Sequence, residues 1–283
     1  MVLALVSAPP CVRVKASNPL TTTFPHSTEE KAPLIMISND DGVEAPGIKA
    51  LAEVALRYGD VIVVAPDGPN SGKSHSFTVM DELRVRKVSG FGAAQCYAIK
   101  GTPVDCIKLG FYGLADRRPS LVLSGINHGS NTSISVHYSG TLGAAREAAM
   151  LRVPAMGLSF ANSHEDADLS EPCRVADALL SSFFNGELPK ADYLSVNIPR
   201  GKVQGIKFCR LAMGRWIEKP THYQNIFGLD LYWLDGKFEN DDLGNLDTDE
   251  GLISNGWAAV TPLRLDVTDY EALDEAHDFK INL

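Results

Sequence analysis

Short, almost continuously apolar runs that each break into a polar, glycine-bearing loop constrain this chain more than any other feature. Leu34–Ser38, Val61–Ala65 and Leu121–Ser124 are too short for helices and read as strands buried on both faces. Between them lie segments with the periodicity of a helix. Pro46 opens one that carries Ile48, Leu51, Ala52, Ala55 and Leu56 before Gly59 stops it. Pro103–Tyr112 and the small-residue run Leu142–Leu151 follow, then strand Ala155–Ser159, a helix near Glu171–Phe184 and strand Tyr193–Ile198. Such alternation predicts a mostly parallel sheet with helices on both faces.

Sheets of this kind bind ligands at the carboxyl ends of their strands. Three loops are expected to meet there: Asn39-Asp40-Asp41-Gly42, Asp67–Ser76, and the run from Gly125 to Asn131. Phe77-Thr78-Val79 is read as a short strand. After about residue 200 the texture changes to β-rich, with strands expected at Gly205–Leu211, Leu229–Leu234 and Trp257–Thr261 and a short acidic helix at Asp266–Asp278. The division expected is therefore 1–32 as a leader, 33–200 as the core, and 201–283 as an arm with an acidic tail. All three tryptophans, Trp216, Trp233 and Trp257, lie in that arm, and aromatic side chains of this kind serve as interface anchors. A homodimer or tetramer built through the arm is expected.

Charge narrows the partners. Of a formal net charge of −9, Asp235–Glu250 holds seven acids against one lysine, and Arg264–Leu283 six acids against Arg264 and Lys280. The body of the chain is near neutral and carries no basic stripe, which argues against a nucleic-acid polymer as partner. No apolar run approaches the ~20 residues of a membrane-spanning helix. Five cysteines at irregular spacing (Cys11, Cys96, Cys106, Cys173, Cys209) read as small hydrophobes of a reducing compartment. The expected location is the cytoplasm. The first thirty residues, with Arg13 and Lys15, no acid before Glu29 and many Ser, Thr and Pro, read as a disordered leader, with an organelle-transit segment as the alternative.

Chemistry concentrates in the converging loops. Asp40 and Asp41 are adjacent carboxylates at a strand end, an arrangement that repels unless a cation sits between them. Hard oxygen ligands suit Mg²⁺ or Mn²⁺, although Asn-Asp-Asp-Gly is also ordinary turn chemistry. Asn70-Ser71-Gly72-Lys73-Ser74 fails as a phosphate loop of the nucleoside-triphosphatase type, because position 67 is Asp and no helix is expected after Ser74. Backbone N–H groups around Gly72 can still cradle an anion. No GxSxG, HExxH or EF-hand spacing occurs. His75 and His128 fall in the converging loops, with His137 close behind; His26, His164, His222 and His277 are expected at the surface. Tyr138-Ser139-Gly140-Thr141 opens the small-residue helix, as an anion site or as a plain cap.

These residues together resemble a family. Ile35–Gly42 with Ala45-Pro46-Gly47, Val64-Ala65-Pro66 with Ser71-Gly72 and Ser74-His75-Ser76, and Gly101-Thr102-Pro103-Val104-Asp105-Cys106 are similar to the opening motifs of the SurE-type survival-protein nucleotidases. Ser124-Gly125-Ile126-Asn127-His128-Gly129 and Tyr138-Ser139-Gly140-Thr141 complete the set in order, over about residues 33 to 265. The resemblance implies a Rossmann-like three-layer α/β sandwich with a β-rich oligomerisation arm. It also implies a metal-dependent phosphomonoesterase acting on nucleoside 5′- and 3′-monophosphates. By motif position, Asp40, Asp41, Ser71 and Asn127 correspond to ligands of the Mg²⁺ or Mn²⁺, with Asp40 and Asp41 also catalytic. Asn39, Gly72, Ser74, His75, Asn131, Ser139, Gly140 and Thr141 fall where phosphate and substrate are held. Two departures stand out: Thr132–His137 lacks the pair of acids common in bacterial members, and Lys73 replaces a small residue. The competing reading is a nucleotide- or metal-binding interaction protein without turnover.

Overall fold

The computed structural model describes residues 31–164 and 166–277. Its first strand, β1 (Leu34–Ser38), shows why the apolar runs are continuous. Ile35 and Ile37 enter one core while Leu34 and Met36 enter the other. The two-residue alternation of a strand thus feeds two separate layers, and both must be apolar. The order then runs α1 (Pro46–Ala55), β2 (Asp60–Pro66), β3 (Arg84–Val88), β4 (Gln95–Lys100) and α2 (Pro103–Leu109). It continues through β5 (Leu121–His128), α3 (Gly140–Met150), β6 (Ala155–Phe160), α4 (Ser170–Phe184) and β7 (Tyr193–Ile198). Last come β8 (Ile206–Phe208), β9 (Gly214–Gln224), β10 (Asp230–Asn240), α5 (Asp249–Ser254), β11 (Ala258–Leu263) and α6 (Tyr270–Glu275).

Nine strands form one sheet in the order β3-β4-β2-β1-β5-β6-β7-β11-β8. Pairing is parallel from β4 to β7; β3 on β4 and β11 on β7 are antiparallel. Residues of α1 and α4 pack in the core with Ile35 and Val63, and residues of α2 and α3 in the core with Met36 and Val64. This is the expected three-layer α/β sandwich. From β1 the chain steps to β2 on one side and later to β5 on the other, so the strand order reverses between β1 and β5. Open α/β sheets bind at such a switch point, beyond the carboxyl ends of the strands.

Several expectations differ from the structure. Phe77-Thr78-Val79 is not a strand: Thr78 gives its N–H and its hydroxyl to Asp105 at 2.8 and 2.7 Å, so no ladder can form. The edge strand β3 and its neighbour β4 fill the next stretch instead. The supposed loop from Gly125 is strand as far as His128, with a register shift between Ser124 and Asn127. Past residue 200, β8 and β11 return to the main sheet, and only the β9–β10 hairpin forms a separate two-stranded sheet. The helix read over Pro103–Tyr112 runs to Leu109 and continues as a wider turn over Gly110–Leu114. The expectations for residues 1–30, Cys11 and His26 included, lie outside the described residues, and the other four cysteines are free thiols. Among the described residues no helix is long and apolar enough to cross a membrane.

Close packing of α1 depends on one missing side chain. A Cβ at Gly47 would lie 2.1 Å from the carbonyl oxygen of Ile126 on β5. The obstacle is backbone and cannot swing aside. Gly47→Ala is therefore expected to lower stability by about 1–3 kcal/mol, read as a lower urea midpoint. An unchanged midpoint would show that α1 can ride outward at no cost.

Candidate active site

At the end of β1 the chain turns sharply, and Asn39 makes the turn. Its side chain donates to Gly42 O at 2.8 Å and accepts from Gly42 N–H at 3.2 Å. This clamp presents Asp40 and Asp41 at the switch point. Asp40 is 4% exposed, and Thr141 Oγ1, in the first turn of α3, donates to its Oδ1. Gly140 allows this approach, since a Cβ there would sit 2.8 Å from Asp40 Cβ. Asp41 reaches across to β5: its Oδ2 accepts from His128 N–H at 3.2 Å and lies 3.5 Å from His128 Nδ1.

The remaining expected residues divide into two groups. Asn127 stands beside His128 at the end of β5. Its Nδ2 donates to Gly129 O at 2.8 Å, while its Oδ1 takes no hydrogen bond from the described residues. Asn70 N–H donates to Asp40 O at 2.7 Å, which starts the turn carrying Ser71 and Gly72 (φ +73°) beside the acid. Ser139 caps α3 by accepting Leu142 N–H at 3.1 Å, the plain role its position allows. Ser74 is bound by its N–H to Tyr138 O at 3.0 Å and by its hydroxyl to His137 O. Asn131 donates to Ser159 on β6 at 2.8 Å and its N–H bonds Asn197 on β7. His75 Nε2 meets Glu147 at 2.9 Å. Asn39, Ser74, His75 and Asn131 thus each help to hold loops in place, while the buried His75 Nδ1 has no partner among the described residues.

Electrostatics single out Asp40. Burial, with a smaller push from Asp41, raises its pKa from 3.8 to about 6 despite the Thr141 hydrogen bond. Among the described residues no Lys or Arg pairs with either acid, and no group of three or more His, Cys, Asp or Glu could hold a metal ion. A cation here would be held by two carboxylates and neutral oxygens, the donor set that suits hard divalent ions. The donors present, the buried Asp40 carboxylate, the partly exposed Asp41 beside it and the free Asn127 Oδ1, fit such an ion. A cavity of about 250 Å³ between Leu34, Asp60, Gln95 and Arg117 opens at the opposite, amino ends of the strands and contains none of these residues.

Three buried carboxylates escaped the sequence reading: Asp105, Glu147 and Asp249. Asp105 is 2% exposed. It forms a capping box with Thr102 and also takes both donors of Thr78. The Thr102-x-x-Asp105 spacing was the available signal. Glu147 on α3 accepts from His75 and from Lys108, the latter at 2.6 Å; nothing local in the sequence announces it.

Fold and site together define an open α/β protein that gathers an acid pair and a helix N-terminus at its topological switch point. The profile of the family described as survival protein SurE matches residues 35–218, and the chain belongs to that family. It is 40% identical over 258 residues to a protein of Christiangramia forsetii named 5′-nucleotidase SurE, covering 89% of this chain and 99% of that one. The namesake in Cytophaga hutchinsonii is 42% identical over 247 residues, covering 86% and 95%. The crystal structure of the SurE protein from Aquifex aeolicus superposes with a TM-score of 0.73 at 34% identity, over 86% of this chain and 98% of that one.

The raised Asp40 pKa has a testable sign. Because folding favours the protonated acid, its stabilisation is full below pH 3.8 and is lost as pH rises through about 6. In chelator, the unfolding free energy should fall across that window by up to about 3 kcal/mol. Asp40→Asn should flatten this part of the profile. Parallel profiles for the two proteins would refute the assignment to Asp40.

Proposed function

We propose that this chain is a divalent-cation-dependent phosphomonoesterase that hydrolyses nucleoside 5′- and 3′-monophosphates to nucleoside and phosphate. The observation that carries the reading is the buried Asp40 carboxylate, set beside Asp41 and bonded by Thr141 of α3. That contact brings oxygen donors and a helix N-terminus to one point. Relatives named as 5′-nucleotidases, matched over nearly their whole length, support the substrate class.

Asp40, Asp41, Ser71 and Asn127 Oδ1 would hold Mg²⁺ or Mn²⁺. When bound, such an ion supplies charge that polarises a phosphoryl oxygen and acidifies a water. The chain's own residues do the rest. The first turn of α3, from Gly140 and Thr141, presents N–H groups and the positive end of the helix dipole to phosphate. The Gly72 turn adds further N–H donors. Asp40 or Asp41 takes the proton of the attacking water. Asn39, Ser74, His75 and Asn131 contribute by holding the walls of the pocket. Lys73 makes this pocket less negative, whereas the acids missing from Thr132–His137 are supplied from across the chain by Glu250 and Asp249, which bond Thr132 and Ser133.

Phosphate release from AMP and GMP is expected with Mn²⁺ and none in chelator. Asp41→Asn should cut turnover at least tenfold while leaving the melting temperature in chelator unchanged or higher, since it relieves repulsion. Absence of metal-dependent release at any pH would leave a binding protein without turnover.

The arm supports a second proposal, a homodimer or tetramer. Strands β9 and β10 pair over eleven residues each, yet an isolated two-stranded ribbon is marginal in water. Phe227 is 81% exposed and Trp233 66%, with Trp216 and Tyr223 also in the open. A second copy of this chain, pairing or exchanging arms, would bury these side chains. Light scattering should give at least twice 30.6 kDa. A single monomeric peak at micromolar concentration would end the proposal.

A further inference from the structure

The segment from Asn70 to Thr78 is expected to carry a cation ligand and an anion-binding turn, yet it has almost no apolar anchor of its own. Ser71, Gly72, Lys73, Ser76 and Phe77 are exposed, and Gly72 and Ser74 both adopt positive φ. A segment of this kind keeps its shape only through polar ties. At its start, Asn70 N–H bonds Asp40 O. At its far end, Thr78 is fixed by Asp105, and Thr102 Oγ1 donates to Ser76 O at 2.7 Å, both on the amino end of α2.

The middle is held by α3. A Cβ at Gly143 would lie 2.2 Å from Ser74 O, so helix and loop are in direct backbone contact. One turn further along the same face, Glu147 is 4% exposed. Its Oε2 accepts from His75 Nε2 at 2.9 Å and its Oε1 from Lys108 Nζ at 2.6 Å. Burial pushes this carboxyl up, but the hydrogen bonds from His75 and Lys108 outweigh it and hold it below its usual range. Glu147 is thus an ionised buried acid with two donors. Of these only His75 belongs to the loop; Lys108, on α2, lies 5.2 Å from the ring of Phe77.

We propose that Glu147 is a positioning residue for the catalytic loop. By accepting a hydrogen bond from His75 Nε2 it fixes the tautomer of that ring, and so keeps the loop at Ser74 and His75 against α3. The proposal deepens the phosphatase reading and rests on it for the word catalytic; the structural tie itself does not. An acid two turns inside a helix then governs how the phosphate-binding surface is set, as outer partners of a site commonly do.

Three amides report on the loop directly: Lys73, Ser74 and Ser76 each donate to a backbone carbonyl. In Glu147→Met, which keeps side-chain length but accepts nothing, their hydrogen exchange should quicken at least tenfold. Amides of α2 and α3 should stay within threefold, because the opening is local. Ring nitrogen shifts of His75 should show one tautomer in the wild type and a mixture in the variant. Lys108→Met, which leaves the Glu147–His75 bond in place but removes the second donor to Glu147 and the cation over Phe77, should quicken the same amides by clearly less than Glu147→Met does. If Lys108→Met loosens the loop as much as Glu147→Met, the acid serves helix packing alone and the proposal falls. It falls equally if loop exchange and the His75 tautomer are unchanged in Glu147→Met. Should that variant not fold, His75→Leu removes the other partner and must quicken the same three amides. AMP turnover by Glu147→Met should drop at least tenfold. A wild type without turnover would defeat the phosphatase reading, while the exchange data would still decide the tie.

Discussion

A carboxylate buried where no lysine or arginine of the described residues reaches it organises this molecule. Asp40 is taken out of water at the end of β1, next to a second acid, with Thr141 as its only side-chain donor among the described residues. Burial of an acid is unfavourable unless something nearby favours its charge. The surroundings are built to that end: the amino end of α3 points at the acid, Gly140 removes the Cβ that would block it, and Asn39 holds the turn that aims it. The parallel sheet supplies the location, since only at the reversal between β1 and β5 do two strand ends part to form a crevice.

Around that point the loops are held by acids rather than by apolar contacts. Asp105 fixes the far end of the Asn70–Thr78 segment and Glu147 its middle, each from inside a helix that also packs in the core. Packing and site geometry are therefore coupled. Helices α2 and α3 bury Val104, Ile107, Leu142 and Ala145 against one face of the sheet, and their polar faces present the groups that shape the loop. The loop stays open to a ligand because it contributes so little to the core.

What the sequence disclosed follows from where the forces are local. Strands β1, β2, β6 and β7 and helices α1, α3 and α4 were legible to within about two residues, because a strand serving two cores must be apolar throughout and a helix shows its period. Asp40 at a strand end meets Thr141 at a helix start, and Asp41 reaches His128, the neighbour of Asn127. Legibility failed where tertiary partners decide. Phe77-Thr78-Val79 has strand composition, but Asp105 takes the donors that a ladder would need. Strand β3, with Arg84, Arg86 and Lys87 on an exposed edge, has no apolar signature. Ser74, His75 and Asn131 sit where a ligand-facing role was expected, and each is also bonded to distant partners, among them His137, Tyr138, Glu147, Ser159 and Asn197. Those partners are far away in sequence, and no spacing rule connects them.

The same limit explains the C-terminal part. A change of composition near residue 200 suggested a separate arm, yet β8 and β11 extend the central sheet and only β9–β10 projects. The reason is Asp249, fully buried at the start of α5. Its carboxylate accepts from Ala212 N–H at 2.8 Å, at the root of the hairpin, and from Ser133 N–H at 2.9 Å, just ahead of α3. Ser133 Oγ returns a bond to Ala212 O at 2.8 Å, and Glu250 receives the Thr132 hydroxyl. The segment Thr132–His137 therefore meets its acids from across the chain. One buried carboxylate joins the base of the projecting ribbon to the turn that leads into α3, so the ribbon's root cannot shift without straining the bonds that set the helix pointing at Asp40.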